Sequence, residues 1–211
     1  MSQVNPNPPT EAPTPAPPLV LVHGLWDTPA LFNSLRRAIG ERREVFIPHL
    51  PHGLGVVPLE VLAGELGKQI EERYGTDHPL DVMGFSMGGV ISRSWIQLLG
   101  GNQRVRRFTS VASPQQGTWA AQPWPGRLLA SVGDMKVGSG LLNRLNAQPG
   151  DLEGIECCSL YCLADVMVVP GWKAVLPVGR REVLRPLNLQ HHELMAHPAS
   201  VAQVAQELLR P

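Results

Sequence analysis

Gly84-Phe85-Ser86-Met87-Gly88 decides how this chain is read. Before it, Pro79-Leu80-Asp81-Val82-Met83-Gly84-Phe85 is apolar enough for a short buried strand. After it, Gly88-Gly89-Val90-Ile91-Ser92-Arg93-Ser94-Trp95-Ile96-Gln97-Leu98-Leu99 has helical character and opens on small residues. A strand that turns this abruptly into a helix strains the backbone at the serine and leaves no room for side chains two positions to either side. Glycines at 84 and 88 supply that room. The Ser86 hydroxyl is then left at the top of a sheet and at a helix N-terminus, where a nucleophile can be activated. The bare pattern recurs by chance in unrelated chains, so its weight comes from the strand before it, the helix after it and the partners found elsewhere.

Outward from this turn, apolar runs alternate with amphipathic ones. Leu19-Val20-Leu21-Val22-His23 suits a strand buried on both faces. Thr28 and Pro29 predict an N-cap and first-turn proline for a helix through Leu31, Phe32, Leu35 and Ile39. Glu44–Pro48 reads as a strand, and Leu59–Tyr74 as a helix with Leu62, Leu66 and Ile70 on one stripe. Val105–Ala112 and Ile155–Leu163 read as further strands, Glu182–Leu184 as a last short one, and Ala199–Leu209 as a closing helix. Strands alternating with helices predict an α/β fold: a mostly parallel sheet, helices on both faces, and a ligand site at the strands' carboxyl ends. Residues 1–18, rich in Pro, Asn and Thr, read as a disordered or polyproline-like tail, and residues 19–211 as one domain.

Composition narrows the function. Among 211 residues, 18 basic and 18 acidic side chains cancel, which argues against nucleic acid or an anionic membrane surface as partner. The densest basic cluster, Arg104, Arg106 and Arg107, reads as a solvated strand entry. Cys157, Cys158 and Cys162 are too few and too clustered for a disulfide framework or a metal site; they read as small buried hydrophobes in a reduced, cytoplasmic compartment. No apolar run reaches transmembrane length and no ordinary signal peptide is visible, so stable membrane insertion is not expected.

A serine needs a base, and the base needs a group to hold its tautomer. Asp165, in Cys162-Leu163-Ala164-Asp165-Val166-Met167, is a carboxylate in an apolar stretch just past a strand, and it requires a fixed partner there. Of seven histidines, His191 and His192 fall after the last strand and before the closing helix, where the serine–acid–histidine chain order puts the base. His197, beside Pro198, also reads as a helix-start residue, and His49, His52 and His78 as loop residues. The residues alone leave His191 and His192 even. An oxyanion hole needs two backbone N–H groups; Met87 supplies one, and Leu25, after His23-Gly24, the other. His23 itself reads as a hydrogen-bonding brace of that loop.

With these residues in place, the chain resembles an α/β-hydrolase, specifically a small lipase or esterase, from Leu19 to the closing helix. Val20-Leu21-Val22-His23-Gly24-Leu25 matches the strand that ends in His-Gly, and Ser86-Met87-Gly88-Gly89 matches the family's turn. Ala112-Ser113-Pro114-Gln115-Gln116-Gly117-Thr118 and Gly138-Ser139-Gly140-Leu141-Leu142-Asn143 match two further segments. Ala164-Asp165-Val166-Met167-Val168 matches the acid's setting, and the spacing of His192 to Val201 matches that of the family's histidine to its last helix. The resemblance thus selects His192 as base. It implies a fold with minimal or no cap and a serine esterase acting on a small-molecule ester or lipid through Ser86, His192 and Asp165. It also implies that no metal or organic cofactor is needed. A thioesterase, amidase or acyltransferase could use the same triad, and a silent relative could only bind. Residues 119–154 read equally as a small cover over the acyl groove or as packing on the sheet.

Overall fold

The computed structural model describes residues 16–185 and 190–211, so the expected N-terminal tail lies almost wholly outside the described residues. Six strands form one parallel sheet: β1 (Leu19–Val22), β2 (Val45–Phe46), β3 (Leu80–Phe85), β4 (Val105–Val111), β5 (Glu156–Tyr161) and β6 (Arg180–Val183). Their spatial order is β2-β1-β3-β4-β5-β6. The helices are α1 (Asn33–Ile39), α2 (Leu59–Tyr74), α3 (Met87–Leu98), α4 (Ala130–Asp134), α5 (Gly140–Ala147) and α6 (Pro198–Leu208). The order reverses at β1, which pairs with β2 on one side and β3 on the other. Its carboxyl end, beside that of β3, is therefore where a crevice opens.

Burial explains why these sequences form these layers. Every residue of β1 and β3 is buried, which is why both read as continuous apolar runs with no alternation. One face of the sheet is covered by the α2 stripe Leu62, Leu66 and Ile70 together with Val90 and Ile91 of α3. The other is covered by Leu35 and Ile39 of α1 and by Val201, Val204 and Leu208 of α6. This is the α/β-hydrolase architecture.

Three local expectations need correction. Thr28 is extended but its side chain makes no capping bond; Pro29 opens a 3-10 turn (Pro29–Phe32), and the α-helix begins only at Asn33. The expected strand Glu44–Pro48 pairs only over Val45–Phe46, because it is the sheet edge and has one neighbour. Nor are the arginines simply solvated: Arg106 pairs with Asp81, Arg107 with Glu156, and Arg104 donates to the His78 and Gly75 carbonyls. The cysteines are buried and unbridged, and burial pushes the Cys157 thiol up to about 11 and Cys158 to about 12. No helix among the described residues is long and apolar enough to cross a membrane.

Residues 119–154 divide between their two expected roles. Leu141, Leu142 and Leu145 of α5 are core residues. Fully buried Arg93 of α3 clamps that helix in place, donating to the Leu145 carbonyl at 2.9 Å and to Asn146 Oδ1 at 3.0 Å. Among the described residues it pairs with no carboxylate, and burial lowers its pKa to about 10. The earlier part, Ala120 to Met135, instead borders the crevice above β1 and β3.

Candidate active site

Ser86 has φ 53° and ψ −126°, a region that a residue with a side chain rarely occupies. The structure imposes it from both sides: Ser86 N–H donates to the Val111 carbonyl at 2.9 Å, and the Ser86 carbonyl accepts from Gly89 N–H at 3.0 Å. The flanking glycines are required by close approach. A Cβ at Gly84 would lie 2.4 Å from Gly89 Cα, and one at Gly88 2.1 Å from the Val22 carbonyl oxygen. That second contact brings the start of α3 against the end of β1, which sets the serine beside the His23-Gly24-Leu25 loop.

That loop is braced as a unit. Buried His23 accepts from Leu50 N–H through Nε2 at 3.2 Å, and its Nδ1 lies 3.1 Å from the Gly24 carbonyl oxygen. Trp26 is held at φ 63° by donating its N–H to His52 Nε2 at 3.1 Å. His23 is thus a brace, as its place in the sequence suggests. A Cβ on Gly24 would lie 3.0 Å from Ser86 Cβ and 3.4 Å from its Oγ. Leu25 and Ser86 line the same cavity, and Met87 opens α3, where the first N–H groups have no intrahelical acceptor.

The acid and its partner are explicit. Asp165 is buried; its Oδ1 accepts from Met167 N–H at 2.8 Å and Val168 N–H at 3.1 Å, and its Oδ2 lies 2.8 Å from His191 Nδ1. Thr118 ties this loop to the segment after β4: its hydroxyl donates to the Met167 carbonyl at 2.8 Å and accepts from Val169 N–H at 2.9 Å.

The histidine chosen by resemblance is corrected: His191, and not His192, meets Asp165. Both lie in the 3-10 turn His191–Glu193, where successive side chains point about 120° apart. His191 takes the inward direction, its ring centroid 5.0 Å from that of Phe85, while His192 is exposed at the cavity rim. A capping box between Gln190 and Glu193 fixes the turn. A proton on Nδ1, facing the carboxylate, would leave Nε2 with a free lone pair. His197 caps α6 by accepting from Ala199 N–H, as its position predicted.

Ser86 and His191 open into one cavity of about 360 Å³. Ala121, Leu129, Val132 and Met135 give it an apolar wall, and exposed Trp26, Trp124 and Val166 stand at its edge. Among the described residues, one cluster away from it, Cys158, Glu182 and Glu207, has metal-ligand chemistry. Arg180 spans both of its carboxylates at 2.6 Å and so already offsets part of their charge.

The profile of the palmitoyl protein thioesterase family matches residues 18–141, well over half the chain. The chain belongs to that family. The matched stretch carries the Gly24-Leu25 loop and Ser86, and the paired Asp165 and His191 follow it. Three solved structures show how this chain sits among α/β-hydrolase folds. Lipase B of Aspergillus fumigatus is 16% identical with TM-score 0.74, covering 92% of this chain and 52% of its own. This chain thus spans about half the length of that lipase. Bacillus licheniformis lipase BlEst2 is 17% identical with TM-score 0.68, covering 97% and 96%. The RedJ thioesterase of prodiginine biosynthesis in Streptomyces coelicolor is 18% identical with TM-score 0.61, covering 96% and 90%. At such identities the likeness carries the fold and nothing finer. No curated protein matches the sequence significantly. Fold and family together point to a hydrolase of the lipase, esterase or thioesterase type.

Proposed function

We propose that this protein hydrolyses fatty-acyl esters and thioesters through Ser86, His191 and Asp165, by way of an acyl-enzyme. The observation that carries the reading is the 2.8 Å contact between His191 and buried Asp165, made at the cavity that Ser86 also lines. Ser86 Oγ attacks the acyl carbonyl while His191 Nε2 takes its proton. The oxyanion forms against the Leu25 and Met87 N–H groups, the latter at the positive end of α3. His191 returns the proton to the departing alcohol or thiol. Water, deprotonated by the same imidazole, then cleaves the acyl-serine and restores the hydroxyl. Asp165 stays ionised and supports the imidazolium. None of these steps calls on a cofactor.

The family's name favours thioesters, and the apolar wall favours an acyl chain over a polar one. Each methylene buried there is worth about 0.8 kcal/mol. Matched p-nitrophenyl esters and N-acetylcysteamine thioesters, from acetyl to dodecanoyl, should therefore show kcat/KM rising by more than roughly tenfold between acetyl and hexanoyl. Thioesters turned over at comparable chain length would place the activity with the family's name. Failure to hydrolyse any member of either series would overturn the proposal.

A further inference from the structure

Asp27 stands at the nucleophile, and neither the triad nor the oxyanion hole uses it. It lies half-buried on the loop after β1, two residues past Leu25, and borders the cavity. A Cβ at Gly24 would sit 2.8 Å from Asp27 Oδ2 and 3.0 Å from Ser86 Cβ, so this one glycine is all that separates the carboxylate from the serine. Burial pushes the Asp27 carboxyl up, opposed by the His191 and His52 imidazoles and by a backbone hydrogen bond at Gly24. His191, on the turn before α6, lines the same cavity, and His52 lies on the loop before α2. Among the described residues lining the cavity, Asp27 is the acidic one, His191 and His192 are the imidazoles, and none is Lys or Arg.

The location assigns the side of the substrate that Asp27 meets. The imidazole hands its proton to the leaving group, so the leaving group must sit beside His191. Asp27 lines the same cavity as His191 and adjoins Ser86 across Gly24, which puts its carboxylate on the approach to that group. The acyl chain has a different wall, where Leu25, Leu129 and Val132 gather around Gly55 within 3.9 Å of where its Cβ would be. Resting on the acyl-hydrolase reading above, we propose that Asp27 selects the leaving group by charge, favouring cationic or neutral thiols and alcohols over polyphosphorylated or otherwise anionic carriers. A carrier such as a nucleotide-bearing thiol would bring several negative charges to a cavity with no Lys or Arg among its described lining residues.

The test uses the full chain and three octanoyl thioesters of small thiols: thiocholine (cationic), N-acetylcysteamine (neutral) and mercaptoethanesulfonate (anionic). A unit charge roughly 7 Å from Asp27, at an effective dielectric of about 20–40, changes transition-state binding by about tenfold. The cationic substrate should thus exceed the anionic one in kcat/KM by at least about tenfold at low salt. At about 1 M salt, where the screening length is about 3 Å, the ratio should shrink several-fold. In Asp27→Asn it should fall to within about threefold of unity at any salt. A wild-type ratio near one, or one unchanged by both salt and Asp27→Asn, would overturn the charge selection while leaving the hydrolase reading intact. If Asp27→Asn does not fold, the wild-type salt series decides alone. No turnover of even the neutral thioester would defeat the underlying hydrolase reading, and this inference with it.

Discussion

Ser86→Ala and His191→Ala should each lower kcat/KM for a medium-chain thioester by about five to six powers of ten, whereas His192→Ala should change it by less than about tenfold. Serine and imidazole act as one unit, so losing either removes nearly the whole chemical contribution; the oxyanion donors and the acyl wall leave a small residual rate. The contrast between neighbouring histidines follows from the 3-10 turn, which buries one ring against Phe85 and Asp165 and exposes the other. Asp165→Asn should cost less than Ser86→Ala, at roughly three to four powers of ten, because Nε2 survives but its tautomer is no longer enforced. Steady-state kinetics on purified variants with unchanged thermal midpoints separate these outcomes from misfolding. Wild-type-like rates in His191→Ala would end the case for this base.

Gly88→Ala should destabilise the domain by at least about 3 kcal/mol, a large share of the 5–15 kcal/mol typical of a domain. The added methyl would lie 2.1 Å from the Val22 carbonyl oxygen and 2.6 Å from that of His23. Both are backbone atoms at the end of a central strand, so no side chain can swing aside to make room. Relief requires α3 to move away from β1, which also pulls Ser86 from the Gly24-Leu25 loop. Activity should therefore fall even in whatever fraction stays folded. Gly64→Ala, on an exposed turn of α2 with nothing within 4 Å of the new Cβ, should be neutral or stabilise by up to about 1 kcal/mol. Thermal melts of the pair should differ by roughly 6–12 °C or more. Equal midpoints would mean that the turn is not packed as described.

What could be read from the residues was whatever local pattern alone determines. The α2 stripe gives Leu59–Tyr74 its bounds because burial on one face and a following Gly75 leave little freedom at either end. Gly84, Ser86 and Gly88 announce the turn because few backbones allow it. Asp165 announces itself as a carboxylate in apolar surroundings, and a histidine partner was expected after the last strand. Which histidine was not legible: a one-residue step within a single 3-10 turn rotates the side chain from buried to exposed, and spacing to the next helix does not record that phase. Asp27 was missed because a loop acid before Thr28-Pro29 looks like ordinary helix-entry chemistry. Its meaning comes from the closeness of β1 and β3, which only the sheet order reveals. For residues 119–154, hydrophobicity could not tell wall from core; the difference lies in Arg93, which pins α5 and leaves the earlier stretch facing the cavity.

The central claim is that Ser86 is a nucleophile made reactive by His191. Incubation with an alkyl fluorophosphonate, followed by peptide mass spectrometry, measures this without any assumption about substrate. The account predicts one adduct per chain, on Ser86, formed at least about a thousandfold more slowly in His191→Ala and at nearly the wild-type rate in His192→Ala. Labelling at another residue, or labelling of Ser86 at the same rate without His191, would contradict it.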